Sequence, residues 1–356
     1  MWTNNFFEGL KVVELASVLA GPAVGMFFAE LGAEVTKFEQ KSTNGDVTRS
    51  WKVMGEVDEN NESAYFHSVN WGKKHIFVDF NNPDDLYKIH SEIENCDVVI
   101  SNFRGNSASK NKLDYEFCSI KNPKLIYCNL TGYGENSDRP AYDIVLQAET
   151  GFLSMNGVDQ NQLCRMPVAL IDVLAAHQMK EGILLAYIER LKTGKGRKLE
   201  VSLYDAAIAS LANQATNWLI AKHIPKPMGC QHPNIAPYGD LMLCKDGKLI
   251  VLAIGANNQF ENLLSILDLK ELSNDIRFEN NENRVKNRAE LITILKSKFI
   301  QNDSKYWMDL MLKNNVPAGI VKTMDEVFED TSTRKLLLES KTNQKINRKV
   351  KTVIFE

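Results

Sequence analysis

The strongest constraint on this chain is an alternation in its first 130 or so residues. "KVVELA" (Lys11 to Ala16) reads as a strand, and "GPAVGMFFAELGA" follows as a helix opened by Gly21-Pro22. "EVTKFE" (Glu34 to Glu39), "HIFVDF" (His75 to Phe80), "DVVISNF" (Asp97 to Phe103) and "LIYCNL" (Leu125 to Leu130) continue the series of strands. "PDDLYKIHSEIENC" supplies a helix between two of them. Strands separated by helical stretches imply βαβ units and a parallel sheet, so an α/β, Rossmann-like architecture is expected. Ligands of such sheets bind beyond the carboxyl ends of the strands.

Several function classes lose support early. "LAGPAVG" holds Gly21 and Gly25 but not G-x-G-x-x-G, so no nicotinamide cofactor is expected. No P-loop motif occurs either. The formal net charge of −3 argues against nucleic acid as a partner. No apolar run is long enough to span a membrane, and "MWTNNFFEGLKVVELA" lacks the features of a signal peptide. The six histidines show no metal-ligand spacing, so no metal is expected. The six cysteines form no C-x-x-C pair and read as buried thiols of a cytoplasmic protein.

Further along, a long helix is predicted over about 173–192, with Leu184, Tyr187, Ile188 and Leu191 as its apolar stripe and Gly194 as its stop. "LEVSLYDAAIASLANQATNWLI" gives one more strand and helix. "KHIPKPMGCQHPNIAPYG" packs four prolines into residues 222–239 and marks a linker. The expected domains are therefore a large one over 1–222, a linker over 223–239, a small α/β domain over 240–330 and a lysine-rich tail over 331–356.

One acid stands out. In "VALIDVLAAHQM", Asp172 follows an apolar run and precedes the long helix. It can be a helix N-cap, contributing about 1 kcal/mol, or a nucleophile held in a dry cleft.

Nine phrases occur in order: "LKVVELASVLAGPAVGMFFAELGAEVTKFE", "GDVTR", "DVVISNFR", "NPKLIYCNLTGYG", "YDIVLQAETGFLSMNG", "TGKGRKLEVSLYDAAI", "HPNIAPY", "ENRVKNRAEL" and "NNVPAGIV". Together they resemble the class III CoA-transferase family, the CaiB/BaiF type, over roughly residues 8–330. That family includes formyl-CoA and carnitine-CoA transferases and the α-methylacyl-CoA racemases. The resemblance implies a Rossmann-like large domain, a smaller α/β domain, a tail returning toward the large one and an interlocked homodimer. It implies an acyl-CoA:carboxylate CoA-transferase, with acyl-CoA and a carboxylic acid acceptor as substrates and Asp172 carrying CoA as an aspartyl thioester.

For CoA the resemblance points to Ala20 in the "LAGP" turn, Val78 and Asn81 near the adenine, and Asn102 and Phe103 after "DVVIS". Lys110 stands where an arginine usually faces phosphate, and Gln40, followed by Lys41, where another arginine is typical. Tyr142 and Asp143 are placed to contact the pantetheine arm or to hold the active-site loop. Lys73, Lys74 and Arg104 also lie in family phrases, where a structural role is the alternative.

Three departures shape the expectation. Racemases carry Gly-His-Asp where this chain has Ala141-Tyr142-Asp143, and a tyrosine is a poor base near neutrality, which favours transferase over racemase. The glycine-rich loop of formyl-CoA enzymes is reduced to "KPMGCQHPN", which favours a different or larger acid than oxalate. The sequence ends at Glu356, short of many relatives, so a CoA-binding member without turnover is a third alternative.

Overall fold

In a computed structural model, residues 5–56, 62–342 and 345–354 are described. The chain forms two compact units. The first comprises residues 1–153, 165–224 and 335–356, and the second residues 154–164 and 225–334.

The first unit begins β1 (Lys11–Leu15), α1 (Ala20–Glu30), β2 (Glu34–Gln40), α2 (Ala64–Asn70), β3 (Lys74–Val78), α3 (Pro83–Glu94) and β4 (Val98–Ser101). It continues with α4 (Ser107–Lys110), α5 (Tyr115–Lys121), β5 (Ile126–Thr131), α6 (Asp143–Glu149) and the first half of α7 (Phe152–Met155). Then come α8 (Leu170–Thr193), β6 (Arg197–Ser202), α9 (Leu203–Ala209) and α10 (Ala212–Ala221). The strands form a six-stranded sheet in the order β3-β2-β1-β4-β5-β6, every neighbouring pair parallel.

This is the predicted α/β sheet, and its central strands read as continuous apolar runs because helices cover both faces. Val12, Ile100, Ile126 and Cys128 face one core with α1 and α8. Val13, Val99 and Tyr127 face the other with Ile89, Ile93 and Cys118 from α3 and α5. The chain runs outward from β1 through β2 to β3, then returns to β4 beside β1. That reversal opens a crevice at the carboxyl ends of β1 and β4.

Two details place the site. Gly25 of α1 is required because a Cβ there would sit 1.9 Å from the Glu14 carboxylate, which is fully buried in β1. Helix α8 ends at Gly194, whose φ of 72° suits glycine and whose N–H returns to the Arg190 carbonyl at 2.7 Å.

The buried stripe of α8 differs from the predicted one. It runs through Ile171, Ala175, Met179, Ile183 and Ala186, while Ile188 and Leu191 are exposed. Leu184 and Tyr187 lie against the core at its margin. Both sets repeat at helical spacing, so periodicity alone does not choose between them.

The second unit holds an antiparallel sheet of β7 (Tyr238–Leu243), β8 (Leu249–Ala253) and β9 (Ala318–Ile320) in that order. Its core packs Ile250 and Leu252 against Phe260, Leu291, Phe299 and Trp307 from the surrounding helices. Arg284, almost fully buried, donates to the carbonyls of Ala236 and Phe278 and to Asn257 Oδ1. Arg288 reaches the His232 carbonyl at 2.7 Å. Two arginines of "ENRVKNRAEL" thus hold "HPNIAPY" in place, an architectural role for both phrases.

The C-terminal hairpin, β10 (Leu337–Thr342) paired with β11 (Lys345–Val350), belongs to the first unit. Lys349 forms a buried ion pair with Glu30 of α1, and Glu30 also accepts the Thr352 N–H at 2.9 Å. Cys96, Cys118, Cys128 and Cys244 are buried thiols as expected, but Cys164 and Cys230 are exposed. Both lie in irregular segments rather than in strands or helices.

Candidate active site

Asp172 lies in the first turn of α8 but is not its N-cap, a place taken by Ala169, whose side chain has no polar atom to cap with. The capping alternative is thereby removed. No ion pair or side-chain hydrogen bond satisfies the Asp172 carboxyl among the described residues. Burial, and after it the nearby Asp143 carboxylate, push its pKa up to about 7. A helix N-terminus ordinarily favours the carboxylate; here desolvation and like charge prevail.

Asp143 opens α6, next to Tyr142, which is exposed. Its Oδ1 accepts the Ile171 N–H at 2.7 Å. Tyr65 of α2 also belongs to this neighbourhood. Burial and then the charges of Asp172, Asp143 and Asp46 push its hydroxyl up to about 12, so it stays a neutral donor near all three carboxylates. The Trp51 ring packs edge-on against Tyr65 with centroids 5.2 Å apart.

At the crevice between β1 and β4 lies a cavity of about 580 Å³. Its wall includes the ends of β1 and β2, the loop through Gly45 and Asp46, and Phe80, Asn102, Phe103 and Arg104. Phe80 and Phe103 meet edge to face at 5.5 Å and form an apolar side. Gln40 also lines it, and its Oε1 is buried with no hydrogen-bond partner among the described residues. Such an acceptor is costly unless a ligand supplies a donor.

Beneath this cavity lies a chain of buried charges. Lys37 Nζ is 2.8 Å from Glu14 and 3.0 Å from Asp46, and it donates to the Ala16 carbonyl at 2.6 Å. Lys73 pairs with the other Glu14 oxygen at 2.7 Å. Burial would raise the Glu14 pKa, but the two ammonium groups outweigh it and hold the acid ionised. Asp46 accepts the Val18 N–H on both oxygens, fixing Val18 at a φ of 75° in the turn into α1. Glu39 receives Arg49 and His75, and Arg49 also bonds Glu62. Lys37 and Arg49 line the cavity with their charges already neutralised, whereas Arg104 has no ion-pair partner among the described residues.

Of the residues singled out in the sequence, Gln40, Asn102 and Phe103 meet at this cavity. The Asn102 carboxamide is engaged elsewhere, exchanging both of its hydrogen bonds with the Ser17 backbone. Ala20 is buried at the start of α1 and Val78 at the end of β3. Lys41, Asn81 and Lys110 are exposed and do not line the cavity. Asp172 does not line it either; Tyr65 feels the charges of both Asp172 and the cavity residue Asp46. Sequence reading missed Tyr65, which carries no motif, and left Arg104 undecided.

The chain is 36% identical over 329 residues to a succinate–glutarate CoA-transferase of Agrobacterium fabrum, covering 91% of this chain and 82% of that protein. It is 36% identical over 326 residues to the human succinyl-CoA:glutarate CoA-transferase, covering 91% of this chain and 73% of that one. Its fold matches the crystal structure of a CaiB/BaiF family protein from Brucella suis, with a TM-score of 0.88, 35% identity and coverage of 99% and 93% of the two chains. The sequence matches CoA-transferase family III over residues 7–354, and the chain belongs to that family.

Proposed function

We propose that this protein is an acyl-CoA:carboxylate CoA-transferase that carries CoA covalently on Asp172. The observation behind the assignment of Asp172 is a half-buried carboxyl at a helix start, without a salt-bridge partner among the described residues and with a pKa near neutrality. A carboxylate of raised pKa is a stronger nucleophile than an ordinary one, at the cost of being partly protonated near pH 7.

The exchange proceeds by carbonyl substitutions. An Asp172 oxygen attacks the acyl-CoA carbonyl, the C–S bond breaks, and CoA leaves as the thiolate. The thiolate attacks the Asp172 carbonyl of the resulting anhydride, releasing the donor acid and leaving an aspartyl-CoA thioester. The acceptor carboxylate attacks that thioester, and the second thiolate released takes the acceptor acyl group, returning Asp172 as a carboxylate. Each intermediate splits a hard exchange into easier steps. Tyr65, neutral and acted on by the Asp172 charge, is assigned as a donor to a developing oxyanion.

CoA fits the cavity by its chemistry. The Phe80–Phe103 side suits adenine, the orphaned Gln40 oxygen can accept an adenine N–H, and Arg104 supplies a cation for phosphate. Ala20, Asn81, Lys41, Lys110 and Tyr142 remain assigned to CoA, Asn81 beside the adenine, Lys41 and Lys110 toward phosphate and Tyr142 toward the pantetheine arm. Val78, by contrast, is 0% exposed and offers a ligand no surface. Arg104→Ala is expected to raise the KM for acyl-CoA about tenfold while changing kcat little, measured by steady-state kinetics at fixed ionic strength.

The acids proposed are short dicarboxylic acids, following the succinyl and glutaryl substrates named for the relatives. The functional unit proposed is an interlocked homodimer in the cytoplasm. Helix α10 buries none of its residues in this chain, and Trp218, Leu219 and Ile220 are exposed, as a subunit contact would explain.

The deciding experiment is intact-protein mass spectrometry after incubation with succinyl-CoA, followed by hydroxylamine or borohydride trapping. A CoA or trapped adduct mapped to Asp172 is expected. Turnover with no adduct at that residue would rule out the covalent route.

A further inference from the structure

Asp172 is delivered by a segment with no regular structure of its own, residues 165–169, which leads into α8. Two side chains of α6, one helical turn apart, hold that segment. Asp143 Oδ1 accepts the Ile171 N–H at 2.7 Å, and its Oδ2 accepts from Gln147 Nε2. Gln147, only 1% exposed, turns its Oε1 to the Met166 N–H at 2.9 Å. The direction of this carboxamide is dictated by its neighbours. A flipped amide would set oxygen against carboxylate and NH₂ against a backbone N–H.

The chain is thus fastened on both sides of the stretch 167–170. Ile171 is fully buried, so its amide has no water to fall back on. The same bond removes Ile171 from the first-turn amides able to stabilise an oxyanion. The Val173 amide is likewise engaged, on the Ala169 carbonyl at 3.1 Å.

We propose that Asp143 and Gln147 are positioning residues for Asp172: Gln147 fixes the path of the segment that delivers it, and Asp143 anchors the helix start while placing a negative charge beside it. The inference rests on Asp172 as the nucleophile, and it assigns to these two residues a role that acts through Asp172.

Asp143 is the charged group that acts on Asp172 among the described residues, with Tyr65 of α2 facing it as a neutral phenol. The other titratable groups on the elements packed around α8 have partners of their own. Glu30 of α1 pairs with Lys349, and Asp205 of α9 accepts from Ser202. Tyr127 of β5 donates to the Leu113 carbonyl, and Lys198 of β6 pairs with Glu116 and Glu135. Arg197 of β6 pairs with Glu189, and Glu200 lies beside Glu135. Tyr204 of α9 stacks near Tyr133, and Glu149 of α6 holds Arg139. On α8 itself, His177, Lys180 and Glu181 act on one another.

The test reads Asp172 without requiring turnover. A water-soluble carbodiimide with an amine modifies protonated carboxyl groups, and peptide mass spectrometry reports the modification of Asp172 as a function of pH. In the unmodified protein the midpoint is expected at about 7. Asp143→Asn keeps an oxygen for the Ile171 N–H and removes the charge. It also turns an NH₂ toward the Gln147 Nε2, but the midpoint reads the charge and should fall by about one pH unit. Asp143→Ser, which also retains an acceptor, should shift it in the same direction and serves if the Asn variant does not fold.

Gln147→Ala leaves the charge in place. It should lower kcat about 10- to 100-fold through misplacement of Asp172, with the KM for acyl-CoA little changed. An unmoved midpoint in the folded Asp143 variants, or unchanged kcat in Gln147→Ala, would overturn the assignment. Because labelling does not depend on transfer, a failure of the covalent mechanism would appear instead as turnover without an adduct, with the midpoint shift intact.

Discussion

Asp172→Asn should abolish CoA transfer and at the same time stabilise the protein above neutral pH. The amide has nearly the shape of the acid but cannot attack a thioester as a carboxylate does, so the rate should fall by at least ~10⁴-fold. The stability effect follows from the raised pKa. An acid whose pKa rises from 3.8 to about 7 on folding binds more protons folded than unfolded between those values. Stability therefore falls as pH rises through that window, and the full cost of a buried carboxylate is present above about 7. Asparagine carries no such cost. The gain in unfolding free energy should be near zero at the acid end of the window and about 2 kcal/mol above it, roughly half the full linkage value because the site is partly solvated. Denaturant titrations of both proteins at the two ends of the window measure it. A retained rate within tenfold of the unmodified enzyme would remove Asp172 from the mechanism, and an equal stability change at both ends would remove the pKa argument.

The parallel sheet was legible because its information is local. Each of the central strands is a short apolar run bounded by turn or helix signals, and nothing distant is needed to read it. Asp172 was legible as a singular acid, but its role as cap or nucleophile was not. That depended on Ala169 taking the cap position and on Asp143 arriving from a helix some thirty residues away in the chain. Tyr65 was invisible for the same reason: what marks it is a neighbourhood of three carboxylates from separate elements, not a spacing. The α8 stripe was misread because a long helix with apolar residues on more than one face has more than one helical period to offer. Packing against α1 and the sheet selects one of them. The unpaired cation in the cavity wall, among the described residues, is Arg104, three residues past the end of β4, whereas Lys41 does not line the cavity. Sequence resemblance indicated the ligand but could not indicate which positive side chain was left unpaired.

The largest stability effect is expected at Glu14, which a sequence reading would take as an ordinary strand residue. Its neighbours in β1, Val12, Val13 and Leu15, are buried, and Glu14 itself is 0% exposed. A lone carboxylate there would be expelled or protonated. It persists because Lys37 and Lys73 approach its two oxygens at 2.8 and 2.7 Å. Glu14→Ala would leave Lys37 with Asp46 and the Ala16 carbonyl, but Lys73 with only the neutral Asn70 and the Pro22 carbonyl. Removing one member of a buried ion cluster costs about 3–5 kcal/mol. Burial already pulls the Lys73 pKa down to about 7 beside Glu14, so the bared amine would shed its proton and the cost should fall at the lower end of that range. The midpoint of denaturation should fall accordingly at an unchanged m-value. A second replacement separates this cause from simple loss of volume. Glu14→Ala combined with Lys73→Met removes the orphaned, buried amine and should recover a substantial part of the loss, whereas a cavity effect alone would leave the double variant no better than the single one. The cluster also reaches the site: Lys37 bonds Asp46, and Asp46 holds Val18 in the turn at the cavity rim. Glu14→Ala should therefore weaken acyl-CoA binding even where the fold survives, and intact affinity in a folded, destabilised variant would confine the cluster to stability.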